Sequence, residues 1–199
     1  MANKNDFGIN TQCVHVGEVE DKQFKGAVSP IFMATSYAFD GVDVKRYPRY
    51  FNTPNQEMLC KKIAALEHTE AGLILGSGMA AISTALFSFL KAGDHIIIQQ
   101  VIYGGTYHLI VSEFEKYGIE YSFTDSDQVA DFIPLIKENT KGLYIETPSN
   151  PLLGITDIKA ISDLAKERNI ITMIDNTFAS PINQTPVPYT PLTLPTTLP

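Results

Sequence analysis

Cationic side chains are scarce in this 199-residue chain: 15 Lys and Arg stand against 22 Asp and Glu, giving a formal net charge of -7 and a pI near 5.0. The few cations are scattered, which excludes a basic face for nucleic acid or anionic lipid. Cysteine is scarcer still. Cys13 and Cys60 lie far apart, with neither CxxC spacing nor histidines beside them, so the reading is two free thiols and neither a disulfide framework nor a zinc site. His15, His68, His95 and His108 are dispersed, no pair has metal-ligand spacing, and none is assigned to catalysis. No apolar run approaches the roughly 18 residues of a membrane span. Met1 is followed by Ala2, Asn3, Lys4, Asn5 and Asp6 rather than by the apolar stretch of a signal peptide. These absences predict a cytoplasmic protein that binds a small molecule or another protein, not a nucleic acid or a membrane.

What is present is 44% hydrophobic residues, enough for one good core. From about residue 58 onward, short apolar runs alternate with stretches of helical period, the pattern of a parallel sheet covered by helices. Helices are expected over 58–67, 79–90, 106–117, 128–139 and 157–168, the fourth despite Pro134. Strands are expected over 72–75, 95–99, 120–123, 142–145 and 170–174. The last is a continuous β-branched run of the kind buried on both faces. The fold class is therefore α/β. Residues 1–57 lack the alternation and carry Pro30, Pro48 and Pro54 among aromatics, so they read as an extended arm that packs on another subunit. Residues 58–183 form the main domain. From 184 to 199 a Pro/Thr-rich tail follows, with no charge after Asp175, where neither a packed helix nor a central strand is expected.

In open α/β sheets, ligands sit beyond the carboxyl ends of the strands, so the residues that follow each apolar run carry the chemistry. Gly76, Ser77, Gly78 and Met79 open a helix where glycines allow a tight turn and free N–H groups can hold a phosphate; an ordinary strand-to-helix connection has the same composition. Tyr103, Gly104, Gly105, Thr106 and Tyr107 place an aromatic face at the same edge, suited to stacking on a planar ligand or to simple packing. Glu146, Thr147, Pro148, Ser149, Asn150 and Pro151 form a polar cluster, which as a bare turn needs no ligand. Asp175, Asn176 and Thr177 end a wholly apolar strand with a carboxylate, which needs a cation or donors if it is buried; a protonated ring nitrogen is one such cation, an N-cap or other satisfied structural role the alternative. In the arm, Tyr47 and Arg49 offer a hydroxyl and a guanidinium for a phosphate, or are solvated.

Taken in this order, Tyr47-Pro48-Arg49, Gly76 to Ala81, Tyr103 to Tyr107, Glu146 to Pro151 and Asp175-Asn176-Thr177-Phe178-Ala179 resemble the Cys/Met-metabolism (transsulfuration) family of pyridoxal-phosphate (PLP) enzymes. The likeness runs from about Thr11 to Pro186. It implies the aspartate-aminotransferase-like fold (fold type I), with 58–183 as an incomplete PLP-binding large domain, and a homotetramer built from dimers. It implies PLP as cofactor, with Ser77, Gly78 and Met79 at its phosphate and Tyr103 stacked on its ring. Asp175 is matched to the ring nitrogen, and Glu146, Asn150 and Thr177 to positions around the cofactor. Tyr47 and Arg49 are matched to a pair that reaches the neighbouring subunit's phosphate. The implied activity is elimination or γ-replacement at a C–S bond of a small sulfur amino acid, with a parent resembling cystathionine γ-lyase or γ-synthase. Gly105, where methionine γ-lyases carry cysteine and cystathionine β-lyases a different loop, and the 146–151 segment favour those two; a methionine γ-lyase or O-acetylhomoserine sulfhydrylase parent is the alternative. The family's Ser-x-Thr-Lys segment, whose lysine holds the cofactor, has no counterpart here, because the last lysine is Lys166. The expectation is a truncated or frame-shifted chain without full activity, Tyr103 being the one catalytic position it keeps; a fragment that pairs with full-length subunits is the rival reading.

Overall fold

A computed structural model describes residues 7–186 and the backbone of 192–194. It divides the chain into two compact units, Met1–Ile74 and Leu75–Pro199.

In the first unit, helix α1 (Ile9–His15) packs on helix α2 (Pro54–Leu66), and a single 3₁₀ turn spans Pro48–Tyr50. The start of α2 is written in the sequence: Pro54 occupies the first helical position, where its missing N–H costs nothing, and the Gln56 side chain accepts from the Thr53 N–H at 3.1 Å. Lys62 Nζ, on α2, donates to the carbonyls of Cys13 and Val14 at 2.9 Å each, which ties down the end of α1. Gly17 then turns the chain at φ +82°, and a Cβ there would stand 2.5 Å from the Met58 carbonyl, so only glycine fits. The sequence reading leaves this region extended. The structure adds α1, whose few apolar residues give too short a period to recognise. Phe24, Ile31 and Met33 remain 79–84% exposed.

The second unit contains a five-stranded, all-parallel sheet of order β2-β1-β3-β4-β5. Its strands are β1 (His95–Ile98), β2 (Glu120–Phe123), β3 (Thr140–Glu146), β4 (Ile171–Asp175) and β5 (Leu192–Leu194). Helix α3 (Gly78–Phe89) precedes β1; α4 (Gly104–Glu113), α5 (Val129–Phe132) and α6 (Ile158–Arg168) connect successive strands from β1 to β4, and a short α7 (Ser180–Asn183) follows β4. Side chains alternate across a strand, so each strand feeds two cores. Ile96, Ile98, Tyr144 and Met173 face one way, with Ile82 and Leu86 of α3 and Ile110 of α4. Ile97, Leu143, Ile145 and Ile174 face the other, with Phe132 of α5 and Ile161 and Leu164 of α6. Burial on both faces is why these runs are continuously apolar.

One expected element is not formed and another is cut short. Residues 72–75 make no strand; the run is short, begins with Gly72 and leaves Leu73 57% exposed, so it has neither ladder partner nor core. The helix expected over 128–139 stops at Phe132, continues as a 3₁₀ turn over Ile133–Leu135 and then extends into β3, as Pro134 dictates by removing a donor. The tail expected at 184–199 lies outside the described residues, apart from 184–186 and the backbone of β5, which takes the sheet's edge.

Candidate functional site

The strand order reverses direction between β1 and β3, and a ligand crevice belongs beyond the carboxyl ends of the strands at that switch. A cavity of about 510 Å³ opens there, within the size range of small-molecule sites. It is lined by Ser77, Gly78 and Met79 from the start of α3, Tyr103 after β1, Glu146 and Asn150 from the end of β3 and beyond, and Asp175 and Thr177 from the end of β4. Eight of the ten residues singled out from sequence thus converge on one cavity. Tyr47 and Arg49 belong to the other unit, at the 3₁₀ turn.

Each side chain is held locally. Ser77 caps α3, its hydroxyl accepting from the Ala80 N–H at 3.1 Å. The Gly78 and Met79 N–H groups belong to the first turn, which has no intrahelical acceptors for them. A Cβ on Gly76 or Gly104 would meet nothing within 4 Å, whereas one on Gly105 would stand 2.5 Å from Cε1 of Tyr103 and 3.0 Å from Sδ of Met79. Gly105 therefore clears the space in which the half-exposed Tyr103 ring lies.

The floor of the cavity is acidic. Glu146 and Asp175 are paired in register on adjacent strands and are 4% and 3% exposed. Asp175 accepts from the N–H of Thr177 at 3.1 Å, from its hydroxyl, and from the hydroxyl of Tyr144 at 3.2 Å. Burial nevertheless raises the Asp175 carboxyl above the ordinary range, those three donors opposing it. Glu146 accepts from Tyr103 N–H and Asn150 N–H, both at 2.7 Å. Burial outweighs these donors and, with the charge of Asp175, pushes Glu146 up to about 7. Tyr144 is raised well above its ordinary value by burial and by the two acids. No Lys, Arg or His lines the cavity among the described residues. Two unneutralised acids beside free helix-start N–H groups suit a ligand that carries both a positive centre and an anionic group.

Three contributors were not singled out from sequence. Tyr144 stands inside an apolar strand, where only strand pairing reveals that its hydroxyl meets Asp175. Gln99 and Thr156 bond to each other at 2.9 Å beneath Glu146. A polar Gln ending the run Ile96-Ile97-Ile98 was the available signal. Cys13 and Cys60 are free thiols, and no group of His, Cys, Asp and Glu among the described residues could hold a metal.

Comparison with known proteins places this arrangement. The family model for Cys/Met metabolism PLP-dependent enzymes matches residues 10–190. Cystathionine beta-lyase MetC of Bacillus subtilis is 42% identical over 188 residues, covering 92% of this chain and 47% of its own length. The crystal structure of metB from Corynebacterium glutamicum superimposes with a TM-score of 0.88 at 37% identity, over 94% of this chain and 49% of that one. A putative O-acetylhomoserine (thiol)-lyase from Campylobacter jejuni, with pyridoxyl-lysine phosphate in its structure, has a TM-score of 0.85 at 31% identity, over 92% and 48%. The fold expected from the motifs, that of the type I PLP enzymes, is thereby borne out, and the chain spans about half the length of the curated relatives it matches. The chain belongs to the Cys/Met metabolism PLP-dependent enzyme family.

Proposed function

We propose that this chain supplies the cofactor face of a pyridoxal-phosphate enzyme of sulfur amino-acid metabolism, acting in the cytoplasm as a homo-oligomer on the C–S bond of a small substrate by elimination or γ-replacement. The observation that carries the reading is the charge of the cavity: Asp175 and Glu146 are buried at the ends of adjacent strands with no cationic side chain among its described lining residues. Pyridoxal phosphate brings what the cavity lacks, a protonatable ring nitrogen and a phosphate. When bound it supplies an electron sink for a substrate carbanion.

The residues have distinct parts in this reading. Gly78 and Met79 offer backbone N–H groups and the positive end of α3 to the phosphate. Ser77 shapes that turn, its hydroxyl being engaged by Ala80. Tyr103 gives its ring face, and Asn150 and Thr177 border the same space. Asp175, oriented by Thr177 and Tyr144, keeps a proton on the ring nitrogen. A carboxyl raised by burial gains a cation on binding, so Asp175 gives up its own proton tendency as the ligand enters. Tyr47 and Arg49 serve the phosphate of an adjacent subunit, and the exposed Phe24, Ile31 and Met33 of the same unit favour an arm covered by a second copy. The relatives include a cystathionine beta-lyase and a putative O-acetylhomoserine (thiol)-lyase, and so favour the class of reaction over any one substrate.

The test is fluorescence titration with pyridoxamine 5'-phosphate, which has no aldehyde to react with surface lysines. One saturable site per chain is expected, weakened about tenfold or more by Asp175→Asn through loss of a charge-assisted contact. Binding that does not saturate, or that ignores Asp175→Asn, overturns the reading.

A further inference from the structure

The two loops that wall the cavity are joined at one carboxylate. Glu146 Oε2 accepts from the N–H of Tyr103, in the segment between β1 and α4, and Oε1 accepts from the N–H of Asn150, in the segment after β3. Each oxygen serves one loop, both bonds are 2.7 Å, and the residue is 4% exposed. Bonds of this length to an ionised acceptor are the strong class. Beneath the carboxylate, the Glu146 backbone is itself fixed by Gln99, which is fully buried. Gln99 Nε2 donates to the Glu146 carbonyl at 3.1 Å and to the Val101 carbonyl at 3.0 Å, while its Oε1 accepts from the Glu146 N–H at 3.3 Å and the Thr156 hydroxyl at 2.9 Å. The Gln99 amide thus continues the β1–β3 ladder one step past the end of β1, with a side chain in place of a strand.

We propose that Glu146 is a positioning residue, an anionic clasp seated by Gln99 that holds the Tyr103 and Asn150 loops at the distance the cavity requires, and that gaining a proton on Glu146 frees one of the two. The proposal rests on the cofactor reading of the site given above. A neutral carboxyl keeps one good acceptor oxygen and turns the other into an O–H, which cannot receive an N–H as a carboxylate does. One clasped amide then loses its partner. Because each oxygen serves a different loop, the cost falls on loop spacing rather than on a single contact.

The groups around the clasp favour a transition near neutrality. Asp175 faces it from β4, Tyr144 lies on its own strand, and Tyr103 stands on the β1–α4 side; no Lys, Arg or His among the described residues lines the cavity to hold the charge in place. Burial and the Asp175 charge both work against ionisation, and only the two N–H donors work for it, which leaves Glu146 at about 7. The clasp is closed above that value and open below it.

The test uses the whole 199-residue chain and reads the clasp without any ligand. In nitrogen–proton correlation spectra taken from about pH 5.5 to about pH 8.5, the amides of Tyr103 and Asn150 should titrate together with one midpoint, while the Ala80 amide, capped by the neutral Ser77 hydroxyl, stays still. Glu146→Gln should abolish both titrations and weaken pyridoxamine 5'-phosphate about tenfold at the high-pH end, a loss that shrinks as the wild-type clasp opens at low pH. Separate midpoints, still amides in the wild type, or titration that persists in Glu146→Gln overturn the proposal, as does a variant that loses the titration yet binds the phosphate equally well at every pH. If Glu146→Gln does not fold, the wild-type titration decides alone. A shared titration in a wild-type chain that binds no pyridoxamine phosphate keeps the clasp and refutes the cofactor reading instead.

Discussion

Replacing His95 with Gln should change how the fold responds to acid. His95 begins β1 and is fully buried, with Nδ1 2.8 Å from the Thr140 hydroxyl on β3 and Nε2 3.0 Å from the Ser122 hydroxyl on β2. Burial, helped by the charge of Lys137 and opposed by Glu120, lowers it from 6.5 to about 4. Between those values the unfolded chain binds the proton and the folded chain does not, so the stability this residue gives is whole above 6.5 and drains as pH falls towards 4. The full gap is worth about 3 kcal/mol, and the part lost between pH 7 and pH 5 is about 2 kcal/mol. Glu146 acts with the opposite sign. Raised from 4.5 to about 7, it binds its proton in the folded chain first, and contributes about 2 kcal/mol more at pH 5 than at pH 7. The two nearly cancel in the wild type, so its own acid profile cannot separate them, but a difference between variants can. The chain has no tryptophan, so urea denaturation followed by far-ultraviolet circular dichroism is the assay. The stability gap between wild type and His95→Gln should narrow by about 2 kcal/mol from pH 7 to pH 5. A gap of equal size at both pH values would refute the reasoning, because it would mean that His95 titrates alike in the folded and unfolded states.

Gly105→Ala places a Cβ 2.5 Å from Cε1 of Tyr103, so the ring must swing out of its position; pyridoxamine phosphate should bind more weakly while thermal stability changes little, and an unchanged affinity would contradict the role given to that space. Ile97→Ala removes a fully buried side chain from the core shared by β1, α5 and α6, and should cost about 2–5 kcal/mol in urea denaturation, a loss below about 1 kcal/mol arguing against the two-faced burial of β1.

How far the molecule was legible in its sequence depended on whether a signal was local. Ile96 to Ile98 is β-branched throughout and Ile171 to Ile174 is β-branched except at Met173, and the rule that ligands sit past strand ends then pointed to Tyr103, Glu146 and Asp175. The helix expected over 157–168 was equally plain, because its apolar residues keep a 3.6-residue period; in the structure Asp157 is its cap and the helix begins at Ile158. Residues 72–75 misled because four apolar or small residues look like a strand until no ladder partner is found for them, and the 128–139 stretch misled because its period outlasts the break that Pro134 imposes. The clasp was out of reach for a different reason. Its donors are main-chain N–H groups 43 and 4 residues from Glu146, and no side-chain pattern announces which backbone amide a carboxylate will meet. The support from Gln99, 47 residues away, depends likewise on β1 and β3 being neighbours.

Whether Asp175 holds a proton on a cofactor ring seated in this cavity can be read from the nitrogen chemical shift of pyridoxamine 5'-phosphate labelled at its ring nitrogen. Bound to the wild-type chain at about pH 8, the ring nitrogen should carry the shift of the protonated form, and with Asp175→Asn it should revert to that of the neutral ring. A bound ring that is neutral in both proteins, or protonated in both, would contradict the account.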